Sequence, residues 1–260
     1  MAALVIVGSV AAVSCAVGRI GGLPEGSQGS GTSGGSSGSA SGSTSGVVMT
    51  TSCTPTSPIA GRTPLRRLIP PEYGNSVRDL FNDTKGTITG NATAGFPNEV
   101  VTTSGFLNNA DAYQTQLGNI QAWMTAVETL AANAHKSGFF DLPCATSDPQ
   151  TCATNFIKTF GLKVFRRPLT GDEVTSYYSR FTLGSTQTGA TFQDGLEWVV
   201  GRMLQSPKFL YRIELDASTA AAGQKVVLNG YSIATRLSYL LWQSTPDDTL
   251  LSAAGAGQLD

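Results

Sequence analysis

The 260 residues carry 17 basic and 18 acidic side chains, a net charge of −1 with no basic excess, which argues against a nucleic-acid surface. Residues 1–60 hold only two of those charges, Arg19 and Glu25, so 61–260 have ordinary globular composition, with length for one good core or two small ones. A single histidine, His135, all but excludes a multi-histidine metal site and confines imidazole chemistry to that position; no metal site and no cofactor are expected.

At the amino terminus, "AALVIVGSVAAV" (2–13) is an apolar run too short for a membrane span, which needs roughly 20 apolar residues. It suits the hydrophobic region of a signal peptide. Small residues before a cysteine, "AVSC" (12–15), resemble a bacterial lipobox in which Cys15 is lipidated after cleavage. Ala12 stands where that motif prefers Leu, and no Lys or Arg precedes the run, so an ordinary signal peptide cut nearby is the competing reading. The Gly/Ser tract at 21–46 cannot bury enough apolar surface to offset its ordering entropy, so 16–60 reads as a disordered tether. Such a tract holds a domain roughly 25–30 Å from its anchor.

Cysteine usage fits an oxidising compartment. With Cys15 lipidated, Cys53, Cys144 and Cys152 remain. Cys144 and Cys152 bracket the short loop "CATSDPQTC", where a disulfide is expected, and Cys53 is left over. No CxxC or CxxCH occurs, so neither a thioredoxin-like motif nor covalent haem attachment is present.

From residue 64 onward the punctuation is helical. In "PPEYGNSVRDLF" (70–81), Tyr73, Val77, Leu80 and Phe81 recur at helical spacing, and Pro71 is tolerated in a first turn. Gly, Asn and Thr make 82–105 a loop. A long helix is predicted from about 109 to 135, burying Tyr113, Leu117, Ile120, Met124, Val127, Leu130 and Ala134 and stopping at Ser137-Gly138. Asp148 and Pro149 open the next, which buries Cys152, Phe156 and Phe160. Thr170 and Glu173 then spell a capping box for a helix that buries Val174, Tyr177, Tyr178 and Phe181. A further helix, about 191–205, turns Phe192, Leu196, Val199, Val200, Met203 and Leu204 inward and ends at Ser206-Pro207. Asn229 caps a helix with Ile233, Leu237 and Leu241 on one stripe, and Thr245-Pro246-Asp247-Asp248 opens a last one by the logic of a cap followed by proline in the first turn. No strand alternation competes, and the fold class is all-α, an irregular multi-helix array.

Several long motifs, in order, resemble one family. They are "PLRRLIPPEYGNSVRDLF", "GFLNNADAYQTQLGNIQAWMTAVETLA", "FGLKVFRRPLTGDEVTSYYSRF", "MLQSPKFLYRIE" and "IATRLSYLLWQSTPDDTLLSAA". Together they resemble the large exported proteins of planctomycetes and myxobacteria built from DUF1587, DUF1595 and DUF1592 modules. The resemblance implies a DUF1587-like domain at 61–140, a DUF1595-like domain at 141–215 and the start of a DUF1592-like domain at 226–260, cut short. It supplies no activity to transfer to named residues. Many planctomycete relatives begin with a cytochrome-c-like domain, and here the Gly/Ser tract stands in its place.

Three constellations could carry chemistry. Arg66, Arg67, Arg166, Arg167 and Arg212, with Arg78 and Arg236, could bind an anion through their guanidinium forks, or pair with Glu72, Asp79, Glu173, Glu197 and Glu214 as scaffold ion pairs. Asp247-Asp248 could be an acid pair, or dipole partners at a helix start. His135 lies seven residues from Glu128, roughly on one helix face, or simply complements a helix C-terminus. No GxSxG, P-loop, HExxH or dinucleotide fingerprint occurs. The expectation is an exported, lipid-anchored scaffold or binding module with a membrane anchor and a protein partner in a surface assembly, and no nucleic acid. The alternative is an accessory part of an extracytoplasmic redox or polymer-degrading system.

Overall fold

The computed structural model describes residues 64–97, 110, 115–214 and 226–259. The signal segment, Cys15, the tether and Cys53 lie outside them. Among the described residues the chain forms eight α-helices and one two-residue β-bridge, an all-α protein. None of these helices is long and apolar enough to cross a membrane.

Helix α1 (Pro70–Leu80) begins with two prolines, whose missing N–H groups cost nothing in a first turn. Ile69 has no side-chain acceptor, so only half a capping box forms: Glu72 reaches back and accepts from the Ile69 N–H at 3.1 Å. After α1 the loop is organised by one carboxylate. Asp83 accepts from the N–H groups of Thr87, Ile88 and Thr89 at 2.7–2.9 Å, and this drives Ile88 into the core. Burial alone would raise the Asp83 pKa; the Thr89, Ile88 and Thr87 hydrogen bonds outweigh it and hold the carboxyl well below the usual range.

Helix α2 (Leu117–Lys136) buries Val127, Leu130 and Ala134, as the spacing predicts. Its first half does not follow the predicted stripe. Trp123 and Asn119 face inward, while Leu117, Ile120 and Met124 are exposed. Trp123 fills the inward position and takes the Arg67 guanidinium over its ring at 5.4 Å, which rotates the buried face away from the aliphatic residues. The predicted contact at Tyr113 lies outside the described residues.

A single 3₁₀ turn (Pro143–Ala145) leads to α3 (Pro149–Phe165), capped by the Asp148 side chain on the Thr151 N–H. Cys144 and Cys152 are joined as a disulfide across this junction, with Cα atoms 5.5 Å apart. Thr170 caps α4 (Gly171–Ser185) through the full capping box, and Thr191 caps α5 (Phe192–Leu204) the same way with Asp194. The last two pack closely. A Cβ on Gly195 would stand 2.6 Å from the Phe181 ring, and one on Gly184 would stand 2.9 Å from Trp198.

Ser206-Pro207 ends α5 as predicted, but the chain continues into a one-turn α6 (Pro207–Leu210) and then a short β2 (Tyr211–Arg212). This pairs antiparallel with β1 (Arg66–Arg67), in register Arg66 with Arg212 and Arg67 with Tyr211. A bridge of two residues is too short to leave an alternation, which is why no strand was expected. Helix α7 (Gly230–Leu241) starts at the Asn229 cap and α8 (Asp248–Gly255) at Asp247. The aliphatic stripe of α7 is not its buried face. Ser232, Ala234, Thr235, Ser238 and Tyr239 are buried, Ile233 is half-buried, and Leu237, Leu240 and Leu241 face out. One hydrophobic core runs from Leu68 through α1–α6 to Tyr239, so the stretches read as separate domains share their interior.

Candidate functional site

Beneath the β-bridge the core turns ionic. Glu72 on α1 and Arg212 on β2 are both buried, with Glu72 Oε1 3.7 Å from Arg212 Nη1. Burial raises the Glu72 pKa, and Arg212 pulls it the other way without cancelling the shift. The Arg212 guanidinium lies 5.2 Å from the centre of the Tyr239 ring on α7, and that of Arg166 lies 5.7 Å from the same centre.

Arg166 closes α3 in the left-handed region, φ 59°, a conformation that costs a non-glycine residue about 1–2 kcal/mol. Its side chain is held by compensating bonds. Nη2 donates to the carbonyls of Lys208 and Tyr211 at 2.8 and 2.9 Å, and Nη1 donates to the Phe209 carbonyl and the Tyr239 hydroxyl at 3.3 and 3.4 Å. Arginine only donates, so the Tyr239 oxygen accepts from Arg166, and it also shares a hydrogen bond with Ser76 Oγ, 2.9 Å away on α1.

The remaining predicted arginines lie outside this cluster. Arg66 is exposed on the bridge, and buried Arg67 stacks on Trp123. Arg167 forms a fork on Glu173, Nη1 and Nη2 donating at 2.9 and 2.8 Å, and Lys208 adds a close contact to the same carboxylate. Arg167, then Lys208, together outweigh desolvation and hold the Glu173 pKa at about 2. Arg78 meets Asp79, and Arg236 meets Glu214 at 2.5 Å. Asp247 caps α8 on the Leu250 N–H, and Asp248 pairs with Lys163 at 2.9 Å, so the two acids work separately at a helix start.

Between α1 and the α7–α8 pair lies a groove of 510 Å³ with a mixed lining that includes Arg78, Asp79, Trp242, Ser244, Asp247 and Leu250. Ser244 donates to Asp79 at its edge. His135 has a different partner from the one its sequence position suggested. Its Nδ1 is 2.6 Å from Glu197 Oε2 on α5, across a helix pair rather than along one helix to Glu128. Sequence reasoning missed that junction because the two residues are 62 positions apart; the signal was the Thr191–Asp194 cap, which fixes the turn of α5 beside them.

Three family models match the chain, each described as a protein of unknown function: DUF1587 over 66–136, DUF1595 over 152–214 and DUF1592 over 228–260. The chain carries these three modules, in that order. No curated protein and no solved structure matches it. The ionic core is therefore shared among modules: Glu72 and Ser76 belong to the DUF1587 stretch, Arg166 and Arg212 to DUF1595, and Tyr239 to DUF1592.

Proposed function

We propose that this chain is an exported, lipid-anchored helical protein that serves as a surface or periplasmic scaffold or binding module. In this reading Cys15 carries the lipid, 16–60 is the tether, and 61–260 engages a protein partner in a surface assembly. The observation that carries it is the ionic core. Arg166 and Arg212, two of the three buried arginines that could grip an anion, are engaged by the chain's own carbonyls, carboxylate and Tyr239 ring. Those contacts join segments far apart in sequence into one body, which is what a scaffold requires. The layout of apolar run, small residues, cysteine and Gly/Ser tract supplies the anchor.

The test is cell fractionation with mass spectrometry of the amino terminus. The expected species begins at Cys15, carries a lipid mass and sediments with membranes; Cys15→Ala releases the protein into the soluble fraction. A cleaved but unlipidated terminus would keep export and remove the anchor. An intact Met1 on cytosolic protein would overturn the reading.

A further inference from the structure

We infer that His135, Asp194 and Glu197 form a binding site for a divalent transition-metal ion that clamps α2 to α5. His135 lies in the last turn of α2; Asp194 and Glu197 are three residues apart on α5 and so share one face. One ligand atom from each lies within 4.8 Å of the other two.

A simple ion pair accounts for only part of this arrangement. The 2.6 Å contact of His135 Nδ1 with Glu197 is a complete hydrogen bond. Asp194 is additional. Its Oδ2 is held by the Thr191 N–H and hydroxyl, both at 2.6 Å, which fixes the carboxylate plane. Its Oδ1 is thereby aimed at His135 Nδ1 across 3.7 Å, too far for a hydrogen bond. Ligands about 2.0–2.2 Å from a tetrahedral ion stand roughly 3.3–3.6 Å apart. The Asp194 separation already suits an ion between the two atoms, and Glu197 needs to open by less than about 1 Å to match.

Charge and access agree. The site pairs two carboxylates with one imidazole, and a divalent ion suits that acidic donor set. The three side chains are each about a third exposed, so water can complete the coordination shell. The Phe140 ring meets the imidazole edge-on at 6.3 Å and, being fully buried, forms a fixed wall behind it. One nitrogen and two carboxylate oxygens select Zn²⁺ and its first-row neighbours over Mg²⁺ or Ca²⁺, which favour all-oxygen shells. The site joins the DUF1587 and DUF1595 stretches and stands independently of export or lipidation.

The test uses the full chain stripped with chelator and titrated calorimetrically with Zn²⁺ and separately with Mg²⁺, alongside Co²⁺ absorption. One Zn²⁺ per chain, negligible Mg²⁺ binding and a cobalt spectrum without a thiolate charge-transfer band are expected. His135→Gln, Asp194→Asn and Glu197→Gln should each weaken Zn²⁺ at least about tenfold. Thr191 remains the cap and the substituted amide oxygen can still accept from its N–H, so Asp194→Asn should remain folded by circular dichroism. Glu128→Gln, on the same helix, should leave binding unchanged. No binding, binding indifferent to the three substitutions, or a thiolate band placing the ion on a cysteine would each overturn the inference.

Discussion

The hydroxyls of Ser76 and Tyr239 meet at 2.9 Å although 163 residues separate them. This contact fastens the first module to the last inside the protein, with the Arg166 guanidinium on the other side of the tyrosine oxygen. Tyr239→Phe removes the shared hydroxyl and leaves the fully buried Ser76 without that partner. A loss of about 1–3 kcal/mol is expected, the cost of orphaning a buried polar group. Ser76→Ala should cost less, because Arg166 still bonds the tyrosine oxygen. In a urea double-mutant cycle the pair should be coupled by about 0.5 kcal/mol or more; strict additivity would mean the contact contributes nothing.

Two glutamates should give opposite pH signatures. The Glu72 pKa is raised by burial, so the folded state holds that proton more tightly than the unfolded chain. Its contribution therefore falls as pH rises from 4.5 through the folded value. Glu173 is held at about 2, so its contribution is full above about 4.5 and is lost as pH falls through about 2. The stability of wild type minus Glu72→Gln should decline with rising pH above 4.5. The corresponding difference for Glu173→Gln should climb between pH 2 and 4.5, by about 1–2 kcal/mol once the half-exposed Arg167 and Lys208 are discounted for screening. Slopes of the same sign would contradict the assigned environments.

How legible this fold was depends on where each signal originates. Caps are local chemistry, and Asp148, Thr170 and Asn229 accept the backbone N–H expected of them. The last helix starts two residues later than a Thr245 cap with Pro246 in its first turn, at Asp247, because the Thr245 hydroxyl is turned to the Lys163 carbonyl. Burial depends on what lies opposite. On α7 the spacing marks an aliphatic stripe but not what lies opposite; the opposing surface is the ionic core, so Ser232, Ser238 and Tyr239 turn in and bond the Glu214 carbonyl, the Ser244 carbonyl and Ser76. Long-range pairings such as Glu72 with Arg212 and His135 with Glu197 leave no trace in local spacing. The arginines were legible as candidates, and their partners were legible only as a list of acids.

The disulfide should matter modestly. Closing the loop between Cys144 and Cys152, eight positions apart, is worth up to about 2–3 kcal/mol in the chain-entropy model. Cys144→Ala with Cys152→Ala should lower the urea midpoint accordingly. Reductant should reproduce the shift in wild type and leave the double variant unmoved. A reductant effect that persists in the double variant would place the sensitive bond elsewhere.

Helix register can be checked with one cap and one core residue. Thr170→Ala removes the acceptor of the Glu173 N–H and should cost about 1 kcal/mol. Phe160 is buried on α3, stacked on Phe156 at 5.3 Å and tilted against Phe81 at 5.9 Å. Phe160→Ala should therefore cost about 3–5 kcal/mol. Equal, negligible effects in a denaturant titration would mean that the registers of α3 and α4 are wrong.

The outward face of α7 carries the last prediction. Leu240, Leu241 and Trp242 are 77%, 62% and 63% exposed, and Leu237 lies beside them. Single exposed apolar residues are ordinary, but four within six positions at the end of one helix form a contiguous patch. Covering one such side chain is worth roughly 1.5–3 kcal/mol, so burying several together can drive association against its entropic cost. The full chain should self-associate with rising concentration in sedimentation velocity. Leu240→Ser with Trp242→Ser should restore the monomer. Because neither side chain is buried, folding stability should change by no more than about 0.5 kcal/mol per site. A wild-type chain that stays monomeric throughout, or a double variant that associates equally, would show that this face is inert toward copies of itself.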